Sequence, residues 1–263
     1  MPAPLRFVFV GDLHTGSVTA LAPKTKTDRS EQVWLAEKWQ EFTKSVLSVK
    51  GPYVLMLGGD LVEGHHHGSK AFWGNAKEQR DGSIELLQPL ANKAGRVMAV
   101  LGTEAHAGDY GENDAQVAQE LGAKVIRQHV PLYLKEYGQF LSWSHHGMTA
   151  AQDASLADNG LLAAIKRVDE LYKARLLDWA VRRNDDAPRR YTCIISHHAH
   201  RSPEPVKRRG MWAGLCGCWQ EQTAHGYKIA PRAGVDIGAL IWTPEIDRLE
   251  RVVYAQKEVA TVY

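Results

Sequence analysis

The sequence predicts an α/β fold with its chemistry gathered at one edge of a sheet, and three observations support this. Short apolar runs recur along the chain and read as buried strands: Phe7-Val8-Phe9-Val10, Val54-Leu55-Met56-Leu57, Val97-Met98-Ala99-Val100-Leu101 and Cys193-Ile194-Ile195. Segments with apolar residues at helical spacing lie between them. Each run leads into a stretch that carries carboxylate or imidazole: Gly11-Asp12-Leu13-His14, Gly58-Gly59-Asp60, Gly102-Thr103-Glu104-Ala105-His106 and His197-His198-Ala199-His200. A fifth such stretch is His145-His146-Gly147. Loops at the carboxyl ends of several strands are where α/β sheets collect functional groups, so the order suggests a dinuclear metal site. Nitrogen and carboxylate oxygen without thiolate point to Mn, Fe, Zn or Ni ahead of a soft-metal or iron–sulfur site.

Taken in order, the first strand ends at a glycine turn that presents an Asp and a His two residues apart. Residues 30–49 read as an amphipathic helix, with Ser30 as N-cap and Val33, Leu35, Trp39, Phe42, Val46 and Leu47 on its apolar face. Shorter helices are expected over 84–94 and 113–121. The longest helical pattern covers 157–183, where Leu161, Leu162, Ile165, Val168, Leu171, Tyr172, Leu176 and Trp179 recur every three or four residues as a core-packing stripe. Arg182-Arg183 suit its C-terminus. Beyond residue 200 the pattern turns to strands. Ala239-Leu240-Ile241-Trp242 and Leu249-Glu250-Arg251-Val252-Val253-Tyr254 suggest a closing antiparallel pair, opened by residues 234–238 and joined by a turn at Thr243-Pro244. No solenoid-period repeat or low-complexity tract divides the chain, so one domain over 1–263 is expected.

Composition narrows the function classes. Lys plus Arg of 32 against Asp plus Glu of 30 gives a net charge of +2, too balanced for a nucleic-acid binder that works by bulk electrostatics. The 12 histidines are the unusual count, and most lie in or beside the five stretches. Cys193, Cys216 and Cys218 cannot all pair, and Cys216-Gly217-Cys218 is too closely spaced for an ordinary bridge, which points to a reducing compartment. A metal role for that Cys-x-Cys lacks a second pair, so a buried turn is expected. The first strand begins almost at the N-terminus, and no apolar run approaches the roughly 20 residues of a membrane span. The cytoplasm is the expected location, with no membrane partner.

These residues resemble the calcineurin-like metallophosphoesterases, particularly prophage-type and bacterial members, over about residues 5–200. That family's pattern runs Asp-x-His, Gly-Asp, Gly-Asn-His-Asp/Glu, a strand ending in His, then Gly-His-x-His. The resemblance implies a four-layer αββα sandwich of two mixed sheets flanked by helices. It implies two divalent ions, manganese foremost, with iron, zinc or nickel as alternatives. Asp12, His14 and His200 would hold the first ion and Asp60 would bridge the two. His198 would join the second ion together with His145 or His146, both of which stand where the strand-end histidine belongs.

The third stretch departs from the pattern, because Gly102-Thr103-Glu104-Ala105-His106 replaces Gly-Asn-His. Either Thr103 or Glu104 supplies the missing oxygen ligand while His106 donates a proton to the leaving group, or the second ion is weakly held and enters with substrate. A purely structural role for His106 would be to cap the turn at Gly108. Three other segments bear on substrate. His65-His66-His67 could contact phosphate or an extra ion or form an exposed loop, Arg189-Arg190 and Lys207-Arg208-Arg209 could grip phosphate although short basic pairs are usually solvated surface, and Trp212 and Trp219 could stack on a base or fill a hydrophobic corner. Asp60-Leu61-Val62-Glu63-Gly64 lacks the arginine of the protein-phosphatase run Asp-x-x-Asp-Arg-Gly, which argues against a Ser/Thr protein phosphatase. The expected activity is metal-dependent hydrolysis of a phosphodiester or nucleotide-like phosphomonoester. A nuclease of the same fold, or a binding module that has lost turnover, are the alternatives.

Overall fold

The computed structural model describes residues 3–64, 73–146, 154–182, 190–223 and 234–255. The loop of His65, His66 and His67, together with Arg183, Arg189 and the Trp179 side chain, lies outside the described residues.

Two mixed sheets stack face to face. In the first, β1 (Arg6–Val10), β2 (Tyr53–Leu57), β3 (Arg96–Val100) and β4 (Val125–Arg127) run parallel, while β10 (Ile237–Thr243) and β11 (Arg248–Tyr254) extend it antiparallel in the order β11-β10-β1-β2-β3-β4. The second sheet has the order β5-β6-β7-β9-β8, built from β5 (His129–Leu134), β6 (Gln139–Ser144), β7 (Cys193–Ser196), β8 (Val206–Arg208) and β9 (Met211–Leu215). Here β6, β7 and β9 are parallel.

Side-chain alternation explains why the strands read as unbroken apolar runs. In β1, Val8 and Val10 face the helices α1 (Ser30–Ser48), α2 (Ala76–Ala91) and α4 (Glu112–Glu120), while Phe7 and Phe9 face the second sheet. A strand covered on both faces has no use for polar alternation. Between the sheets, Phe9, Met56 and Met98 meet Leu141, Trp143, Cys193 and Ile195. The outer face of the second sheet presents Ile194, Met211, Ala213 and Leu215 to Leu161 and Ile165 of α5 (Ala154–Arg182). The layers are therefore helix, sheet, sheet, helix, as expected.

Several local expectations need correction. Helix α1 buries Leu35, Trp39, Phe42 and Val46, but Val33 and Leu47 are exposed and Gln32 is buried in their stead. Ser30 is the first helical residue rather than the cap, a position held by Arg29. Helix α2 starts eight residues before the expected 84, with Asn75 and Glu78 forming a reciprocal capping box, and it tolerates Pro89 in its last turn. Among the described side chains of the stripe on α5, Leu161 and Ile165 are buried whereas Leu171 and Leu176 are exposed. Trp219 fills the hydrophobic corner, edge-on to Trp39 at 4.8 Å. Cys193, Cys216 and Cys218 are free and buried, and burial pushes the Cys193 and Cys216 thiols well above their usual range.

Phe9 is fully buried and packs edge-on against Trp143 at 5.9 Å between the sheets. Phe9→Ala is expected to lower unfolding free energy by about 3–5 kcal/mol in urea titration. A loss below about 1 kcal/mol would mean the two sheets can close the gap, contrary to this packing.

Candidate metal centre

The carboxyl ends of β1, β2 and β3 lie at one edge of the first sheet, and the ends of β6 and β7 meet them from the second. The loops after β1 and β2 then interlock by backbone hydrogen bonds. Asp12 N–H donates to Gly59 O (2.9 Å), His14 N–H to Asp60 O (3.0 Å) and Thr15 N–H to Leu61 O (3.2 Å). Glycine lets the sheets approach here: a Cβ on Gly58 would lie 2.1 Å from the His197 ring.

Left-handed backbone is concentrated at this edge. Asp12, His14, Asp60, His198 and His200 all have φ between 47° and 68°. Each such conformation costs a non-glycine residue on the order of 1–3 kcal/mol, and it persists where surrounding contacts over-determine it. The strain turns side chains that a regular strand would send to alternate faces toward one shared space.

That space brings together Asp12, His14, Asp60, His145, His146, His198 and His200. Donor atoms of Asp12, His14 and His200 lie within 4.8 Å of one another, as do those of Asp12, Asp60 and His145 and those of His145, His146 and His198. Asp12 and Asp60 are fully buried. His14 Nε2 stands 3.1 Å from His200 Nε2, and His145 Nε2 3.2 Å from Asp60 Oδ2. His200 Nε2 is 3.6 Å from Asp12 Oδ1, and His198 Nδ1 is 3.9 Å from Asp60 Oδ2.

The donor set fits cations. Asp12 Oδ1 and His145 Nε2 are buried and make no aligned hydrogen bond, although they face His200 Nε2 at 3.6 Å and Asp60 Oδ2 at 3.2 Å in the cluster. Two imidazole nitrogens at 3.1 Å have only one proton to share, or a metal. The opposite edges of the rings are already fixed, His145 Nδ1 on Gly58 O at 2.7 Å and His14 Nδ1 on Glu63 Oε2 at 3.0 Å. This is how a protein fixes the tautomer that leaves Nε2 free to coordinate. Burial alone would raise the carboxyl of Asp12, but the neighbouring imidazoles of His197 and His200 outweigh it and hold Asp12 well below the usual range. Asp60 is likewise lowered: burial is outweighed by His145 and His198. Both carboxylates are anionic, as cation ligands must be.

His106 sits on the short helix α3 (Glu104–Ala107), its ring 4.4 Å from that of His14. Its Nδ1 lies 2.8 Å from Glu63 O and 3.8 Å from Glu63 Oε2, so it faces the cluster rather than capping the turn at Gly108. Thr103 lends both its N–H (2.7 Å) and its hydroxyl (3.0 Å) to Asp60 Oδ1, whereas Glu104 is exposed.

Five supporting residues escaped sequence reading. Glu63 carries His14 on its carboxylate and His106 on its carbonyl, and its position three residues after Asp60 was the available signal. Gln220 donates to Glu63 Oε2 at 3.2 Å, and the Cys218 thiol donates to Gln220 O at 3.1 Å. His197 is fully buried, its Nδ1 3.5 Å from Asp12 Oδ2. Asp114, inside α4, accepts the N–H groups of Asp60 (2.9 Å), Leu61 (3.0 Å) and Gly102 (2.8 Å), tying the second and third loops together. No local pattern marks it. Burial and the neighbouring Asp60 charge push its carboxyl up to about 7.

The basic segments are elsewhere. Lys207, Arg208 and Arg209 belong to the hairpin of β8 and β9, at the end of β9 opposite its junction with the cluster. Arg209 and Arg190 pair with Asp169 at 2.8 and 2.9 Å, and Lys207 pairs with Asp247. Trp212 Nε1 donates to Asp247 Oδ1 at 2.8 Å. None of these reaches the clustered imidazoles. Lys207, Arg208 and Arg209 sit on the solvated surface despite their sequence proximity to His198, because a β-hairpin returns to the far end of its sheet.

Asp114→Asn puts an amide NH₂ against at least one of three buried backbone donors. It should lower unfolding free energy by about 1–3 kcal/mol. An unchanged urea midpoint would show that the carboxylate does not hold these loops.

No protein-family model matches the chain, and no curated protein matches it. Among solved structures, it is similar to a novel archaeal phosphodiesterase, with 10% identity and a TM-score of 0.45 over 95% of this chain and 99% of that one. It is also similar to Vps29 of Chaetomium thermophilum (10% identity, TM-score 0.41, 96% and 100% covered) and to a dimetal phosphatase from Danio rerio (9%, 0.39, 96% and 100%). The stacked mixed sheets with helices outside both form an αββα sandwich, with the Asp-x-His, Gly-Asp, strand-end His and His-x-His stretches gathered at one edge.

Proposed function

We propose that the chain is a dinuclear metal-dependent phosphoesterase acting on a phosphodiester or a nucleotide-like phosphomonoester. The observation that carries this reading is the fully buried Asp60, which shares one group of donor atoms within 4.8 Å with Asp12 and His145 and another with His14 and His106. Asp12, His14 and His200 would hold one cation, His145 and His198 the other, and Asp60 both. Two divalent ions about 3.5–4 Å apart activate water near neutral pH and neutralise charge on the phosphoryl oxygens in the transition state.

The chain's own residues supply the rest. Asp60 is kept from rotating by the two bonds from Thr103, so it can face both positions at once. His106 donates Nδ1–H to Glu63 O, and in its doubly protonated form it would give the Nε2 proton to the departing oxygen. Glu63 orients His106 and His14 together, which couples the proton donor to the first cation position. Cytoplasmic location belongs to the same proposal, supported by the three free thiols. Among the described residues, no helix is long and apolar enough to cross a membrane.

Hydrolysis of bis(p-nitrophenyl) phosphate is expected with Mn²⁺ and not after chelation, and Asp60→Asn should abolish it. Equal, metal-independent rates in both proteins would refute an enzyme of this class. His106→Ala should cost about 10²–10⁴-fold in kcat on an ester with a poor, alkoxide leaving group. The loss on a p-nitrophenyl ester should be much smaller, because that group departs without a proton. Equal losses on both would remove His106 from the proton-donor role.

A further inference from the structure

In a strand, neighbouring side chains point to opposite faces. Strand β6 stops at Ser144, however, and past it His145 and His146 turn so that their rings meet edge-on at 4.7 Å. His146 also packs against His198 at 4.2 Å, and His145 lies 5.2 Å from His198. One nitrogen of each ring falls within 4.8 Å of the other two. His145 is anchored beneath by Gly58 O, while His146 and His198 close over it from the exposed side. Three imidazoles that converge by their nitrogens, rather than by stacking on apolar surface, form a donor set.

The third stretch offers nothing in the place of an amide oxygen. The N–H and hydroxyl of Thr103 are committed to Asp60, and Glu104 is exposed on α3. We propose that His146 is a ligand of the second cation alongside His145, not an alternative to it, and completes with His198 and Asp60 a set of three imidazoles and one carboxylate. This rests on the dinuclear reading above and makes the two positions chemically unequal. The first has two carboxylates, Asp12 and Asp60, with His14 and His200. The second is rich in nitrogen, which suits zinc, cobalt or nickel better than the oxygen-preferring manganese.

The test is binding of Zn²⁺ alone to chelator-stripped protein, by calorimetry and by metal analysis after gel filtration, with Co²⁺ absorption as a second readout. Wild type should take up two ions. His146→Ala should keep one at wild-type affinity and weaken the other by at least the roughly 10–100-fold that even an outer hydrogen-bond partner is worth. The visible bands of only one of the two Co²⁺ ions should change. Asp12→Asn should weaken the opposite ion. Because His146 is exposed, its replacement should leave the thermal midpoint of metal-free protein unchanged, which separates lost coordination from lost folding. Two ions bound to His146→Ala as in wild type, or both weakened equally, would overturn the assignment of His146 while leaving two cations in place. Wild type that binds fewer than two ions would overturn the dinuclear reading and this inference with it.

Discussion

Two fully buried carboxylates, Asp12 and Asp60, are the constraint from which the rest of this structure follows. An ionised carboxylate taken out of water costs several kcal/mol unless positive charge and donors replace its hydration. Here the replacement is organised around each acid separately. Asp12 has His197 beside it and His198 N–H on its Oδ2 at 3.2 Å, while Asp60 has Thr103 and His145. The ring of imidazoles is therefore a requirement of burial as much as of chemistry. Asp12 Oδ1 and His145 Nε2, which make no aligned hydrogen bond, mark where hydrogen bonding by the protein stops.

Strained backbone and supporting bonds belong to one design. Five of the clustered residues hold left-handed conformations, and backbone bonds between loops help to keep them there. Asp114 shows the principle most plainly. It touches nothing reactive, yet its two oxygens gather three backbone donors from the loops after β2 and β3. Glu63 does the same between His14 and His106. A site held in this way is rigid before any ligand arrives, which lowers the reorganisation its chemistry requires.

Legibility in the sequence followed the range of the interaction. The buried strands before Gly11, Gly58 and Gly102 were readable because a segment covered on both faces must be apolar throughout. The clustered acids and imidazoles were readable because strand-end turns expose whatever follows. Helix α2 was read short, since its first turns carry Lys77, Glu78, Arg80 and Asp81, and the capping box at Asn75 was overlooked. The place of the hairpin's basic residues is set by their strand partners, which sequence neighbourhood does not reveal.

The sequence by itself determined the α/β class, the order of the strand-end stretches and the chemical kind of site, since these depend on local periodicity and residue type. Only the tertiary structure decided that His145 and His146 turn to the same side, that Thr103 rather than Glu104 meets Asp60, and that Asp114 and His197 underpin the cluster. Those outcomes depend on where one sheet's edge meets the other's. Contacts of that kind join residues far apart along the chain, and no window of sequence contains both partners.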